Sequence, residues 1–322
     1  MSTPSSIAPA VPDRQRAIRA IKALLFSASI IPALVGGGAA LAAGPVSPAL
    51  FALAALGLFV GQAGGDYLYF YLTHFHTDAR DAHTKIFAGW RPLLVGGVSQ
   101  AKAWNLRPEH AVHAGACCLL VDLGIAFYFY AVIGPAILSF ALAGGLVAVF
   151  FTPLMLRGLK EPVIFVTFGP LCVAGTTLAL AGKITIPALA ASVPVGLFIT
   201  AVAYLKSARF DVAGNPAEAG SHASAGNPGS GEQVVLRVRR GAIATLLALG
   251  YVSLVAGVAL RQLPMLSLAG LLSLPLALSV TSAVHPAQSR VADYLWATVR
   301  TILVSIIVGL GIAIGFAVSP LR

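Results

Sequence analysis

The chain has 322 residues, of which 58% are hydrophobic and only 10% charged, with a mean hydropathy of +0.88. A soluble globular domain carries about 25% charged residues, so this composition excludes a soluble enzyme and predicts a polytopic membrane protein. The formal net charge of +10 would suit a nucleic-acid partner, but its distribution along the chain points elsewhere.

In chain order, a polar N-terminal tail (1–21) precedes a membrane domain covering 22–322. Apolar runs near 22–43, 49–72, 110–130, 132–152, 162–182, 185–205, 241–260, 263–282 and 300–319 are each long enough to span a membrane. A hydrocarbon core about 30 Å thick takes roughly 20 helical residues. Several runs are rich in Gly, Ala and Pro, as packed membrane helices tend to be. The alternating segments of about ten residues that a β-barrel needs are absent. The expected fold is all-α, a bundle of nine transmembrane helices. LAAG at 41–44 resembles a signal-peptide cleavage site, but the apolar run before it is too long for a typical cleaved signal, so an uncleaved first helix is expected.

Charge sets the expected orientation. With the N-terminus cytoplasmic, 18 of the 21 basic residues fall on the cytoplasmic side, and only Lys183, Arg261 and Arg322 fall outside. The positive-inside rule thus accounts for the charge without nucleic acid. The predicted outer loops are short, whereas the cytoplasmic loops 73–109 and 206–240 are long, which marks them as functional or disordered. Within the second, 213–233 is rich in Gly, Ala, Ser and Pro, repeats AGNP, and reads as flexible. Cys117, Cys118 and Cys172 lie inside predicted helices and read as small packing residues.

The first loop and the helix before it hold the chain's unusual chemistry. The stretch 64–97 collects Asp66, Asp78 and Asp81 with His74, His76 and His83 in an otherwise greasy sequence. If the helix continues, His74, Asp78 and Asp81 share a face at spacings of four and three. Such a His/Asp/Asp set could bind Zn²⁺ or Mn²⁺. Helix six in turn runs into Lys206, Arg209, Asp211 and Asn215. Two helix ends carrying acids and bases would form one polar chamber capping an apolar bundle.

These segments resemble the UbiA superfamily of intramembrane prenyltransferases, most closely its 1,4-dihydroxy-2-naphthoate prenyltransferases of menaquinone synthesis. RAIRAIKALLFSASIIPALVGGGAAL (17–42) is similar to the family's first helix, and GLKEPVIFVTFGPLCVAGTTLALAGKI (158–184) to its fifth. GQAGGDYLYFY (61–71) stands at the first Asp motif, Asn-Asp-x-x-Asp; FAGWRPLLVGGVS (87–99) and VVLRVRRGA (234–242) resemble the segments that follow the two motifs. The motifs are altered here. Gly65 replaces the Asn, Tyr69 stands in place of the second Asp, and Asp81 keeps a ten-residue spacing to Arg91. The second motif, Asp-x-x-x-Asp, becomes Asp211-x-x-x-Asn215.

The resemblance implies transfer of an isoprenoid chain from a prenyl diphosphate to an aromatic, quinone-precursor-like or other hydrophobic acceptor, in the cytoplasmic membrane among its lipids. It implies Mg²⁺ held by Asp66, Asp78, Asp81, Asp211 and Asn215, with Asp66, Asp81 and Asp211 central to catalysis. Lys85, Arg91, Lys206 and Arg209 are expected to bind the diphosphate, and Tyr67 and Tyr69 to face an allylic cation. A membrane terpene cyclase, or a non-catalytic lipid- or quinone-binding member, are the alternative expectations.

Overall fold

The computed structural model describes Leu24 and residues 27–75, 108–206, 210–212, 234–236, 240–284 and 291–318. Among these residues the chain forms nine helices: α1 (Ser27–Ala43), α2 (Pro48–Phe75), α3 (Pro108–Ile133), α4 (Ala136–Leu156), α5 (Lys160–Ala181), α6 (Ile186–Lys206), α7 (Arg240–Ala259), α8 (Met265–Ala283) and α9 (Val291–Val318). Eight are long and apolar enough to cross a membrane; α1 has only 17 described residues. The expected all-α bundle is therefore what the chain adopts.

The centre of the bundle is α1, and glycines put it there. Lipid tails are as apolar as leucine, so membrane helices associate through close backbone approach rather than through hydrophobic burial. Gly36, Gly37 and Gly38 point in three directions, and each meets a different helix. A Cβ at Gly36 would stand 2.5 Å from the Val173 carbonyl oxygen of α5. One at Gly37 would meet the Phe51 ring of α2 at 2.6 Å, and one at Gly38 the Ala313 carbonyl oxygen of α9 at 2.9 Å. Thr177 of α5 adds a hydrogen bond from its Oγ1 to the Gly36 carbonyl at 3.0 Å. The three largest fully buried side chains, Tyr294, Phe198 and Phe316, belong to α6 and α9, which both pack on α1. By contrast α3 and α4 are peripheral and present Leu120, Phe127, Leu142 and Leu146 to the surroundings.

Three local features depart from the sequence expectation. In α5, Thr167–Leu171 widens into a π turn around Pro170, which has no N–H to donate to a preceding carbonyl. The last helix begins at Val291, well before the expected 300, so Arg300 lies within it instead of flanking it. Its half-buried guanidinium donates from Nη1 to Ser279 Oγ of α8 at 3.4 Å. A hydropathy window starts the helix late because Asp293 and Arg300 lower the average, yet Tyr294, Leu295, Ala297 and Thr298 are buried there. Finally, the long loop 206–240 contains an antiparallel pair for which no strand was expected, β1 (Phe210–Val212) and β2 (Val234–Leu236), which flanks the flexible-reading stretch 213–233 and brings the loop's two ends together.

Candidate functional site

The C-terminal end of α2 carries the first of the expected acids. Gln62, Asp66 and Tyr69 recur at spacings of four and three, so they share one face of the helix. All three are half-buried. Ser29 of α1 donates its hydroxyl to Gln62 Oε1. Tyr69 lays its ring edge-on against Phe151 of α4, with centroids 5.8 Å apart and planes at 70°. Tyr67, two residues earlier, points about 160° away around the helix, so the two tyrosines expected to act together are on different faces.

Successive helices alternate in direction, and side-chain contacts fix which ends meet. The Tyr69–Phe151 contact joins the C-terminal ends of α2 and α4. Lys160, at the N-terminus of α5, donates from Nζ to the Ala203 carbonyl oxygen of α6 at 2.6 Å. It thereby satisfies one of the carbonyls that a helix leaves over in its last turn. Lys206 ends the same helix, where a cation also complements the helix dipole. Asp66, Tyr69, Lys160 and Lys206 thus belong to one end of the bundle, from which β1 and β2 continue. The backbone of Asp211 lies in β1, opposite Val235. Asp78, Asp81, Lys85, Arg91, Arg209 and Asn215 lie outside the described residues, as do His76 and His83.

The structure also points to residues that the sequence reading passed over. In the sequence Lys160 is one of the basic residues of the positive-inside pattern, and its reach to α6 is the contact of a positioned cation. Gln62 stands four residues before Asp66, and that spacing is its signal in the sequence. Asp122 is the third. It lies at the middle of α3, and its carboxylate rests on the bare backbone of α2. A Cβ at Gly57 would meet Oδ1 at 3.2 Å, and a Cβ at Gly61 would meet Oδ2 at 2.8 Å. An acid inside an apolar run of this length is itself a signal, because such groups are expensive in a membrane.

Asp66 is a hard oxygen donor, and Mg²⁺ is commonly held by one or two carboxylates together with substrate phosphates. The described residues include no group of three or more His, Cys, Asp or Glu side chains able to hold a metal by themselves. Asp66 therefore fits as one ligand of an ion whose remaining coordination comes from substrate and further donors. The two ammonium groups at the same end suit an anion and not a bare metal.

Comparison with known families agrees with this arrangement. The family model of the UbiA prenyltransferase family matches residues 29–302, from α1 into α9. No curated protein matches the chain.

Proposed function

The chain belongs to the UbiA prenyltransferase family, and from that membership we propose that it is a Mg²⁺-dependent membrane enzyme moving an isoprenoid chain from a prenyl diphosphate to an aromatic acceptor. The observation that carries the reading is the gathering of Asp66 with Lys160 and Lys206 at one end of an apolar bundle. Asp66, Lys160 and Lys206 share the end where a diphosphate would bind, only Lys183 and Arg261 lie in the turns at the other end, and the apolar interior suits a hydrocarbon tail.

In this reading Asp66 would hold the metal together with Asp78, Asp81, Asp211 and Asn215 from the two loops. Mg²⁺, when bound, supplies positive charge to a departing diphosphate. Lys85, Arg91, Lys160, Lys206 and Arg209 neutralise the rest of that charge as the allylic C–O bond breaks. The electron pair of the acceptor ring then forms the new C–C bond, and the ring loses a proton. Tyr69, backed by Phe151, offers its π face to the allylic cation. The loops 73–109 and 206–240 face the cytoplasm of a cell membrane, where soluble prenyl diphosphates and their products would be handled.

Purified protein incubated with prenyl diphosphates, Mg²⁺ and hydroxylated aromatics tests the reading. Diphosphate release that is lost on chelation, together with a prenylated acceptor, is the expected result. Prenyl cyclisation without an acceptor would convert the proposal to a cyclase. Absence of release with every chain length would leave a binding protein and overturn it.

A further inference from the structure

Arg300 is left over when the charged end of the bundle has been assigned. Its half-buried guanidinium donates from Nη1 to Ser279 Oγ, and the bond is long, at 3.4 Å. The Ser279 hydroxyl gives its own hydrogen to the Leu276 carbonyl oxygen at 2.7 Å, so toward the arginine it can only accept. A guanidinium carries five N–H donors in a planar fork. Among the described residues Arg300 has no further hydrogen bond and no carboxylate partner. Its nitrogens are not enclosed by protein either, so the unpaired edge of the fork opens to the surroundings of the bundle.

The two helices decide what those surroundings are. Arg300, Ile307 and Ile314 recur every seven residues, which keeps them within about 40° on one side of α9. Ile314 is 51% exposed, and Leu278, beside Ser279 on α8, is 62% exposed. Apolar side chains so exposed on a membrane bundle meet lipid. Residues 301–318 hold no charged side chain and rise about 27 Å, close to the hydrocarbon thickness of about 30 Å. Arg300 therefore stands where hydrocarbon gives way to headgroups, at the end that also carries Asp66 and Lys206. Trp296, one turn nearer that end, belongs to the residue type that anchors at this boundary.

The anion of that layer is phosphate, whose oxygens match the fork of an arginine. A zwitterionic headgroup brings its own ammonium to the phosphate, whereas an anionic one leaves its charge for the protein. We propose that Arg300, oriented by Ser279 in the groove between α8 and α9, binds the phosphate of an anionic phospholipid in the leaflet at the charged end. Basic pockets between transmembrane helices take such headgroups, and Leu278, Ile307 and Ile314 offer apolar surface to the acyl chains. The site lies apart from the reaction proposed above and does not depend on it.

Native mass spectrometry of delipidated protein tests this, with phosphatidylglycerol or phosphatidylcholine of identical acyl chains titrated into the detergent. Wild type should bind the first phosphatidylglycerol more tightly than the first phosphatidylcholine. Arg300→Gln should weaken phosphatidylglycerol about fivefold, the effect of one basic residue near an anionic surface, and leave phosphatidylcholine unchanged. Arg300→Lys, which keeps the charge without the fork, should retain part of the preference, and Ser279→Ala should lose a smaller part. Arg261→Gln, in a turn at the opposite end, should retain all of it. A preference that survives in Arg300→Gln overturns the proposal, as does an equal loss in Arg261→Gln, which would assign the attraction to net charge. Two competitions on wild type need no variant. Inorganic phosphate and geranyl diphosphate should each leave the phosphatidylglycerol bound. Displacement by the first would make the fork a free-anion site, displacement by the second would join it to the prenyl diphosphate site, and either result overturns the lipid assignment.

Discussion

Two faces of α2 run side by side between residues 57 and 69 and do opposite things. On one, Gly57, Gly61 and Gly64 expose backbone, and α3 packs directly on it, with Leu119 against Gly64 and the Asp122 carboxylate across Gly57 and Gly61. On the other, Gln62, Asp66 and Tyr69 line up polar and aromatic groups that reach Ser29 of α1 and Phe151 of α4. The glycine face secures α2 by removing side chains, and the polar face uses a helix held that firmly to place its side chains. A rigid element positions a site more accurately than a loop does. The residues of the two faces alternate along the chain, and only the 3.6-residue turn sorts them.

The sharpest way to test that division is to change one residue on each face. Asp66→Asn should lower Mg²⁺-dependent turnover by about a hundredfold or more, because an anionic ligand disappears from the metal's surroundings. Its thermal unfolding in detergent should stay within about 2 °C of wild type, as a same-sized change on a site residue leaves packing intact. A protein that unfolds early instead would erase the distinction between the faces.

Gly61→Leu should do the reverse. The added side chain has to displace the Asp122 carboxylate, which already lies 2.8 Å from where the Cβ would be. Overpacking of this kind costs about 1–3 kcal/mol. Fluorescence-detected unfolding should show the loss, and the double variant with Asp122→Ala should recover part of it, since the two side chains compete for one space. Strict additivity would mean that the carboxylate does not occupy the notch.

Smaller effects are expected at Tyr69. Tyr69→Phe keeps the edge-on contact with Phe151 and should leave turnover within about threefold, because the aromatic face is retained. Tyr69→Asp restores the carboxylate of the family's motif but removes that ring, and it introduces another acid near the membrane, which costs a few kcal/mol. Turnover should fall about tenfold. A gain in turnover would show that the loop acids do not replace the missing ligand.

Much of this protein could be read along one dimension. The nine helices, the unequal loops and the acid at Asp66 follow from runs of apolar residues and from a local motif. Crossing a membrane is a property of about 20 consecutive residues, so a sequence window captures it. The start of α9 escaped because its polar residues lower the window's average while its buried side, Tyr294, Leu295, Ala297 and Thr298, meets neighbouring helices. What only the tertiary structure decided are the pairings. Ser29 meets Gln62, Lys160 meets the Ala203 carbonyl, and Asp122 lodges over Gly57 and Gly61. Each depends on how two helices are rotated and how nearly their backbones approach. That is set by glycines on one helix and side chains on another, far apart in the chain, and no local stretch of sequence contains both halves.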